Sequence, residues 1–143
     1  MTINVKRVIT SGLVAGIIIS LSAITMVPIV GNEMDTVLAN RGLPPLSNLD
    51  MLYFCFVSFI YGIFLIFLYA ALTPQFKSKT KTAMIASFIV WILSHVIGNV
   101  ANVVYGFMPV KLTVIGTIWG LGELLLASLL ASRLYDSGPQ KNK

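Results

Sequence analysis

The sequence predicts an all-α fold, an integral membrane four-helix bundle with both termini cytoplasmic, and three observations point to it. Of the 143 residues, 57% are apolar and 10% charged, whereas an ordinary soluble domain carries about 25% charged residues. The apolar residues gather in four stretches, 8–30, 51–72, 82–104 and 112–134. Each meets the length of about 20 residues that a helix needs to cross a bilayer. The basic residues lie between these stretches, and unequally so. A mean hydropathy of +0.89 excludes disordered, collagen-like and coiled-coil chains, which are poor in bulky apolar residues. The stretches lack period-two alternation and are about twice as long as a barrel strand, which excludes a β-barrel. They fill most of the chain, so residues 1–143 are read as a single transmembrane domain.

The first stretch follows Lys6 and Arg7 and contains Ser20-Leu21-Ser22, a passable small-x-small cleavage site. It nevertheless continues through Ile24, Met26, Val27, Ile29 and Val30, beyond the length of a signal peptide, and is read as an uncleaved helix. Gly12, Gly16 and Ser20 recur every four residues on one face, a GxxxG pattern suited to close helix approach. The connection that follows is the longest. Asn32 and Asp35 can cap a short helix, and Met34, Val37 and Leu38 give it an apolar stripe before Gly42 ends it. The expectation is an amphipathic segment, 32–42, lying on the outer surface; a straight extension of the first helix is the alternative. Leu43-Pro44-Pro45 then turns the chain, and Ser47 with Asp50 forms a capping box that opens the second helix.

Cys55, the single cysteine, stands among Tyr53, Phe54 and Phe56. It has no intrachain partner and reads as a small hydrophobe. Pro74 closes the second helix, and Pro109 suits the first turn of the fourth. The tail SGPQKNK after Asp136 has no apolar content and is expected to fray. Sliding the second stretch onto the fourth by 58 positions superimposes Ile60, Tyr61 and Gly62 on Ile118, Trp119 and Gly120, a weak internal repeat.

Orientation follows from the Lys and Arg residues. The N-terminus, the loop KSKTK (77–81) and the C-terminus hold Lys6, Arg7, Lys77, Lys79, Lys81, Arg133, Lys141 and Lys143, whereas the other two connections hold only Arg41 and Lys111. Both termini and the basic loop are therefore placed in the cytoplasm. The net charge of +5 is explained by orientation and anionic headgroups, so the bilayer is the expected partner and nucleic acid is not.

Glu123 is the first candidate for chemistry, because it lies near the middle of the fourth stretch. A charged group there costs roughly 2.5 to 3.5 kcal/mol on insertion scales, which apolar neighbours offset. Its carboxyl must still face protein or water, and such groups commonly mark a site. Gly116, Gly120, Glu123 and Ala127 share one face. Together with Gly12 and Gly16, Gly116 and Gly120 are expected to pack helices closely, within the bundle or between copies. The third stretch carries His95, Asn99 and Asn102 at spacings of four and three, with Trp91 one turn earlier. His95 lies roughly 21 Å of helix rise from Lys81, and Glu123 roughly 15 Å from Arg133, so the two are near enough in depth to pair. Such a pair can relay protons or hold a polar ligand, or serve as an interhelical hydrogen bond that only fixes packing. Haem would need His95 from two copies, and one His with one Cys is too few for zinc. No hydrolase, nucleotide or dinucleotide fingerprint occurs, so no catalytic residue, metal or cofactor is expected.

The stretches LYAALTPQF (68–76), KTA (81–83) and WGLGE (119–123) resemble those of a group of small, uncharacterised bacterial four-helix integral membrane proteins. The resemblance spans most of the chain and implies a bacterial inner membrane, with no activity to carry over. The small multidrug transporters are near this size, but their membrane acid lies in the first helix, where this chain has none. The expected function is that of a binding or accessory subunit of a membrane assembly, self-associating or docked on a larger complex. The alternative is a small proton-coupled transporter or channel built on Glu123 and His95.

Overall fold

Local capping chemistry sets the helix boundaries in the computed structural model, which describes residues 3–137. Asn4 accepts from the Arg7 N–H and opens α1, Val5–Ala39. The Ser47 and Asp50 capping box, with both arms formed, opens α2, Asn48–Leu72. Pro74 lies in a 3₁₀ turn, Thr73–Gln75, that closes it. Ser78 caps α3, Lys79–Trp91, which passes through a π-turn, Ile92–Val96, into α4, Ile97–Val104. Pro109 precedes α5, Val110–Asp136. The described residues thus form four helical spans, α3 and α4 sharing one, each long and apolar enough to cross a membrane. No strand occurs among them. Gly138 to Lys143, which include Lys141, Lys143 and most of the tail expected to fray, lie outside the described residues.

The amphipathic segment expected at 32–42 is not a separate element. Residues 32–39 are the last two turns of a continuous α1. Asn32 does not cap anything; its carbonyl accepts the Thr36 hydroxyl at 2.8 Å, a bond of the helix interior. Pro28 lies within the helix, where its missing N–H leaves the carbonyl one turn earlier without its usual partner. The helix stops where a left-handed residue is available. Gly42 has φ +69°; its N–H bonds to the Ala39 carbonyl, and the Leu43 N–H to the Leu38 carbonyl. That is a Schellman motif, and Gly106 (φ +71°) ends α4 in the same way through Val103 and Asn102.

Contacts at the two ends set an up-down-up-down order. At one end the Tyr69 hydroxyl donates to Asp136 at 2.7 Å, Lys79 pairs with Asp136 at 3.2 Å, and Arg7 donates to the Tyr135 carbonyl at 3.3 Å. This basic end gathers the start of α1, the end of α2, the start of α3 and the end of α5. At the opposite end Lys111 pairs with Glu33 at 2.7 Å, and Arg41 donates to the Gly106 carbonyl while lying over the Phe107 ring.

The core is not evenly distributed between these ends. Buried residues run from Val8 to Ile19 in α1, Ser58 to Ala70 in α2, Thr82 to Val90 in α3, and Gly120 to Ser132 in α5. All of these lie toward the basic end. In the opposite half Leu112 alone is buried, and α4 has no buried residue. The dense half depends on small residues. A Cβ at Gly12 would meet the Ile63 backbone, one at Gly16 the Phe59 backbone, and one at Gly62 the Gly12 carbonyl and Gly16 amide. The α1 and α2 backbones therefore touch at these three glycines. Between α3 and α5, Ser87 donates to the Ala83 and Leu124 carbonyls and Ser128 to the Ala83 carbonyl. The second expected glycine face divides: Gly120 is a site of close approach, but a Cβ at Gly116 would meet nothing within 4 Å. Within the bundle, α5 therefore makes no close approach to another span at Gly116.

Candidate functional site

Two of the four polar candidates come together, and an irregularity in the third span is what aligns them. In a regular α-helix residues eight apart lie about 80° apart around the axis. A π-turn holds about one extra residue, which reduces that angle to about 20° in size. Trp91, before the turn, and Asn99, after it, accordingly reach the same residue. Trp91 Nε1 donates to the Thr117 carbonyl at 2.8 Å, and Asn99 Nδ2 to Thr117 Oγ1 at 2.7 Å. His95 lies between them, inside the π-turn. Its ring occupies the space left by the missing side chain of Gly120.

From there His95 Nε2 faces Glu123 Oε1 at 3.7 Å. This is ion-pair distance, and too long for a hydrogen bond. Both groups are shielded, the His95 side chain being 21% exposed and that of Glu123 9%. The hydrogen bonds around them define the proton positions. Ser94 Oγ has a single proton, which it donates to the Val90 carbonyl at 2.7 Å. At its 2.8 Å contact with His95 Nδ1 the hydroxyl oxygen is then left to accept, which favours the tautomer with its hydrogen on Nδ1. In the neutral ring Nε2 is then the free lone pair directed at the carboxyl. On the other side, Trp119 Nε1 donates to Ser22 Oγ at 2.9 Å, which leaves the Ser22 hydroxyl proton free to turn toward the neighbouring Glu123 carboxyl. The carboxyl is thus held between a hydroxyl donor from α1 and an imidazole nitrogen that accepts when neutral and donates when protonated. One proton can reside on either Glu123 or His95, and its direct transfer requires the two to close from 3.7 Å to hydrogen-bond distance.

The other two candidates lie outside this pair. Asn99 is half-buried and committed to Thr117, whose hydroxyl in turn donates to the Thr113 carbonyl at 2.7 Å. Asn102 is exposed, and its backbone carbonyl receives the Phe107 and Met108 amides at the end of α4. The spacing of His95, Asn99 and Asn102 presupposes an unbroken α-helix, which the π-turn is not. Ser22, Ser94, Thr117 and Trp119 belong to the surroundings of the site and were not singled out from the sequence. Trp119 alone had a signal, being part of the WGLGE stretch. No group of three His, Cys, Asp or Glu side chains that could hold a metal occurs among the described residues.

The class defined by fold and site is a helical bundle with four membrane-length apolar spans and a shielded carboxyl–imidazole pair between two of them. No family model matches this chain, and neither does any curated protein or solved structure.

Proposed function

We propose that this chain is a small multi-pass protein of a bacterial inner membrane, with both termini cytoplasmic, and that it is a proton-coupled transporter or channel whose proton-exchanging site is the His95–Glu123 pair. The observation that carries this reading is the 3.7 Å approach of Nε2 to Oε1 within a π-turn. π-turns disrupt regular backbone bonding and recur at functional sites. The two groups face each other without a direct hydrogen bond, so neither is locked by the other, while His95 Nδ1 lies 2.8 Å from Ser94 Oγ. The sidedness rests on the basic residues: Lys6, Arg7, Lys77, Lys79, Lys81 and Arg133 belong to the end where α1 begins, against Arg41 and Lys111 at the other.

A second reading, a binding or accessory subunit of a membrane assembly or a homo-oligomer, has its own support. Leu52, Tyr53, Phe54 and Phe56 in the first half of α2 are each more than half exposed. Lipid covers such a surface equally well.

Reconstitution separates the two. The transport reading requires proton flux into liposomes above that of empty vesicles, abolished by Glu123→Gln. Absence of flux, with a stable companion subunit in native purification, would favour the accessory role.

A further inference from the structure

We infer that the His95–Glu123 site exchanges protons with only one end of the bundle, the end that carries Gly42 and Gly106, and is closed toward the basic end. This rests on the reading of the pair as a proton site and adds the side from which the site is served.

The closure is a feature of the dense half. Between Glu123 and Ser132, about 13 Å of helix rise, α5 presents Leu124, Ala127, Ser128 and Ala131, each at most 1% exposed. Facing them are Ala83, Ala86, Ser87 and Val90 from α3, Leu65, Ile66 and Tyr69 from α2, and Ala15 and Ile19 from α1, none more than 4% exposed. The hydroxyls within this layer form no chain of donors and acceptors. Ser87 and Ser128 each give their only proton to main-chain carbonyls. Those carbonyls only accept and carry no proton to hand on, so neither serine links the pair to the basic end.

The opposite direction differs in both packing and polarity. Beyond the pair, α1 has no buried residue after Ile19, α2 none before Ser58, and α4 none at all. A side chain at Gly116, on the face of α5 that carries Gly120 and Glu123, would meet nothing within 4 Å. α4 is two-sided here, with Ile97, Val100 and Val104 more than half exposed on one face and Asn99 and Asn102 on the other. The polar groups Ser22, Trp119, Thr117, Asn99 and Asn102 lead from the carboxyl toward Gly106.

The charged and titratable neighbours fit the same direction. From the π-turn only His95 faces the carboxyl, and α1 contributes the uncharged Ser22. Toward Gly42 the nearest charges, Glu33 of α1 and Lys111 of α5, neutralise each other. Tyr69 of α2, Lys79 of α3 and Asp136 of α5 contact one another beyond the closed layer.

A membrane-impermeant cationic carbodiimide tests the inference, because it modifies a carboxyl only in its protonated form. The full chain with Cys55→Ser and Ser78→Cys is placed in sealed vesicles. An impermeant biotinylating thiol reagent then captures the molecules whose basic end faces outward, leaving the opposite orientation in the unbound fraction. External pH is stepped from about 8 to about 5, spanning ordinary and raised carboxyl values, at constant internal pH. Modification of Glu123 is read by mass spectrometry in each fraction. In the unbound fraction it should rise as external pH falls, by up to about tenfold per unit; in the captured fraction it should not respond. An equal response in both fractions, or a response confined to the captured one, overturns the inference. A carboxyl that shows no pH response in either fraction or in detergent removes the proton site itself, and the inference with it. Thiol accessibility supplies a second measurement independent of titration. Asn99→Cys should react with an impermeant reagent from the Gly42 end, and Ser87→Cys from neither. Rapid reaction of Ser87→Cys from the basic end, with the fold intact, would overturn the closure.

Discussion

The imidazole of His95 stands where a side chain of residue 120 would be: a Cβ built on Gly120 meets ring atoms of His95 and no other group as closely. Gly120→Ala should therefore push the ring off Glu123 while leaving the helix itself intact. The expected cost is about 1 to 3 kcal/mol from overpacking, read as a lower unfolding temperature in detergent, together with loss of any proton flux. Gly116→Ala, one turn away on the same face and in open space, is the matched control. It should be neutral or slightly stabilising, within about 1 kcal/mol, because alanine restricts the unfolded chain.

The contact between α1 and α2 should be less forgiving. At Gly62 the obstructing atoms are the Gly12 carbonyl oxygen and the Gly16 amide nitrogen, which cannot rotate aside as a side chain can. Gly62→Ala and Gly12→Leu are expected to lose at least as much stability as Gly120→Ala, and to disturb detergent-stable folding by forcing the two helices apart. Gly98→Ala, with nothing within 4 Å, should leave the unfolding temperature close to that of the parent. Equal behaviour of Gly62→Ala and Gly98→Ala would remove the backbone contact from the packing argument.

The four spans, the capping box at Ser47 and the pairing of His95 with Glu123 were legible because each depends on local chemistry or on depth along a helix, and both can be counted from the sequence. What escaped depends on partners. Nothing in GxxxG says whether a glycine faces another helix: a Cβ at Gly12 or Gly16 meets the α2 backbone and one at Gly116 meets nothing within 4 Å, while Gly62, four residues after the small Ser58 on the buried face of α2, meets the α1 backbone. The continuation of α1 past Pro28 and Gly31 turns on whether Asn32 leaves the helix ladder, since an asparagine side chain offers the backbone an alternative partner at either a cap or a turn. The π-turn was invisible for a related reason. Its extra residue is stabilised by what it places opposite Thr117 and Gly120, and those contacts do not exist until the spans have packed.

Topology is tested by the unequal placement of basic residues. In a Cys55→Ser background, Ser78→Cys at the cap of α3 and Asn40→Cys at the end of α1 should be labelled by an impermeant thiol reagent from opposite faces of the membrane. The two positions lie at opposite ends of the bundle, so labelling from one face only would mean that the bundle does not cross the bilayer as four spans. If Ser78→Cys is labelled from the outer face and Asn40→Cys from the cytoplasm, the four spans stand and the orientation inverts.

The most informative single substitution is Glu123→Gln, because it preserves shape and hydrogen-bonding capacity and removes only the exchangeable proton. Its amide oxygen can still accept a hydrogen bond, and its NH₂ faces Nε2 of His95 across the same gap. If the pair served packing alone, the variant would match the parent in assembly, in unfolding temperature to within about 1 kcal/mol, and in every activity. The proton-site reading expects the first two to hold and the third to fail. The variant should fold and assemble normally, carry no proton flux above empty vesicles, and lack the carboxyl infrared band that the parent gains on acidification. Ser94→Ala provides a graded counterpart. It removes the oxygen that fixes the hydrogen on Nδ1, so Nε2 would be protonated in a share of molecules and face the carboxyl as a donor. That favours the ionised carboxyl and should shift the infrared transition to lower pH without abolishing it. Loss of the band in Glu123→Gln together with an unshifted transition in Ser94→Ala would leave Glu123 as the titrating group and exclude His95 Nε2 as its partner.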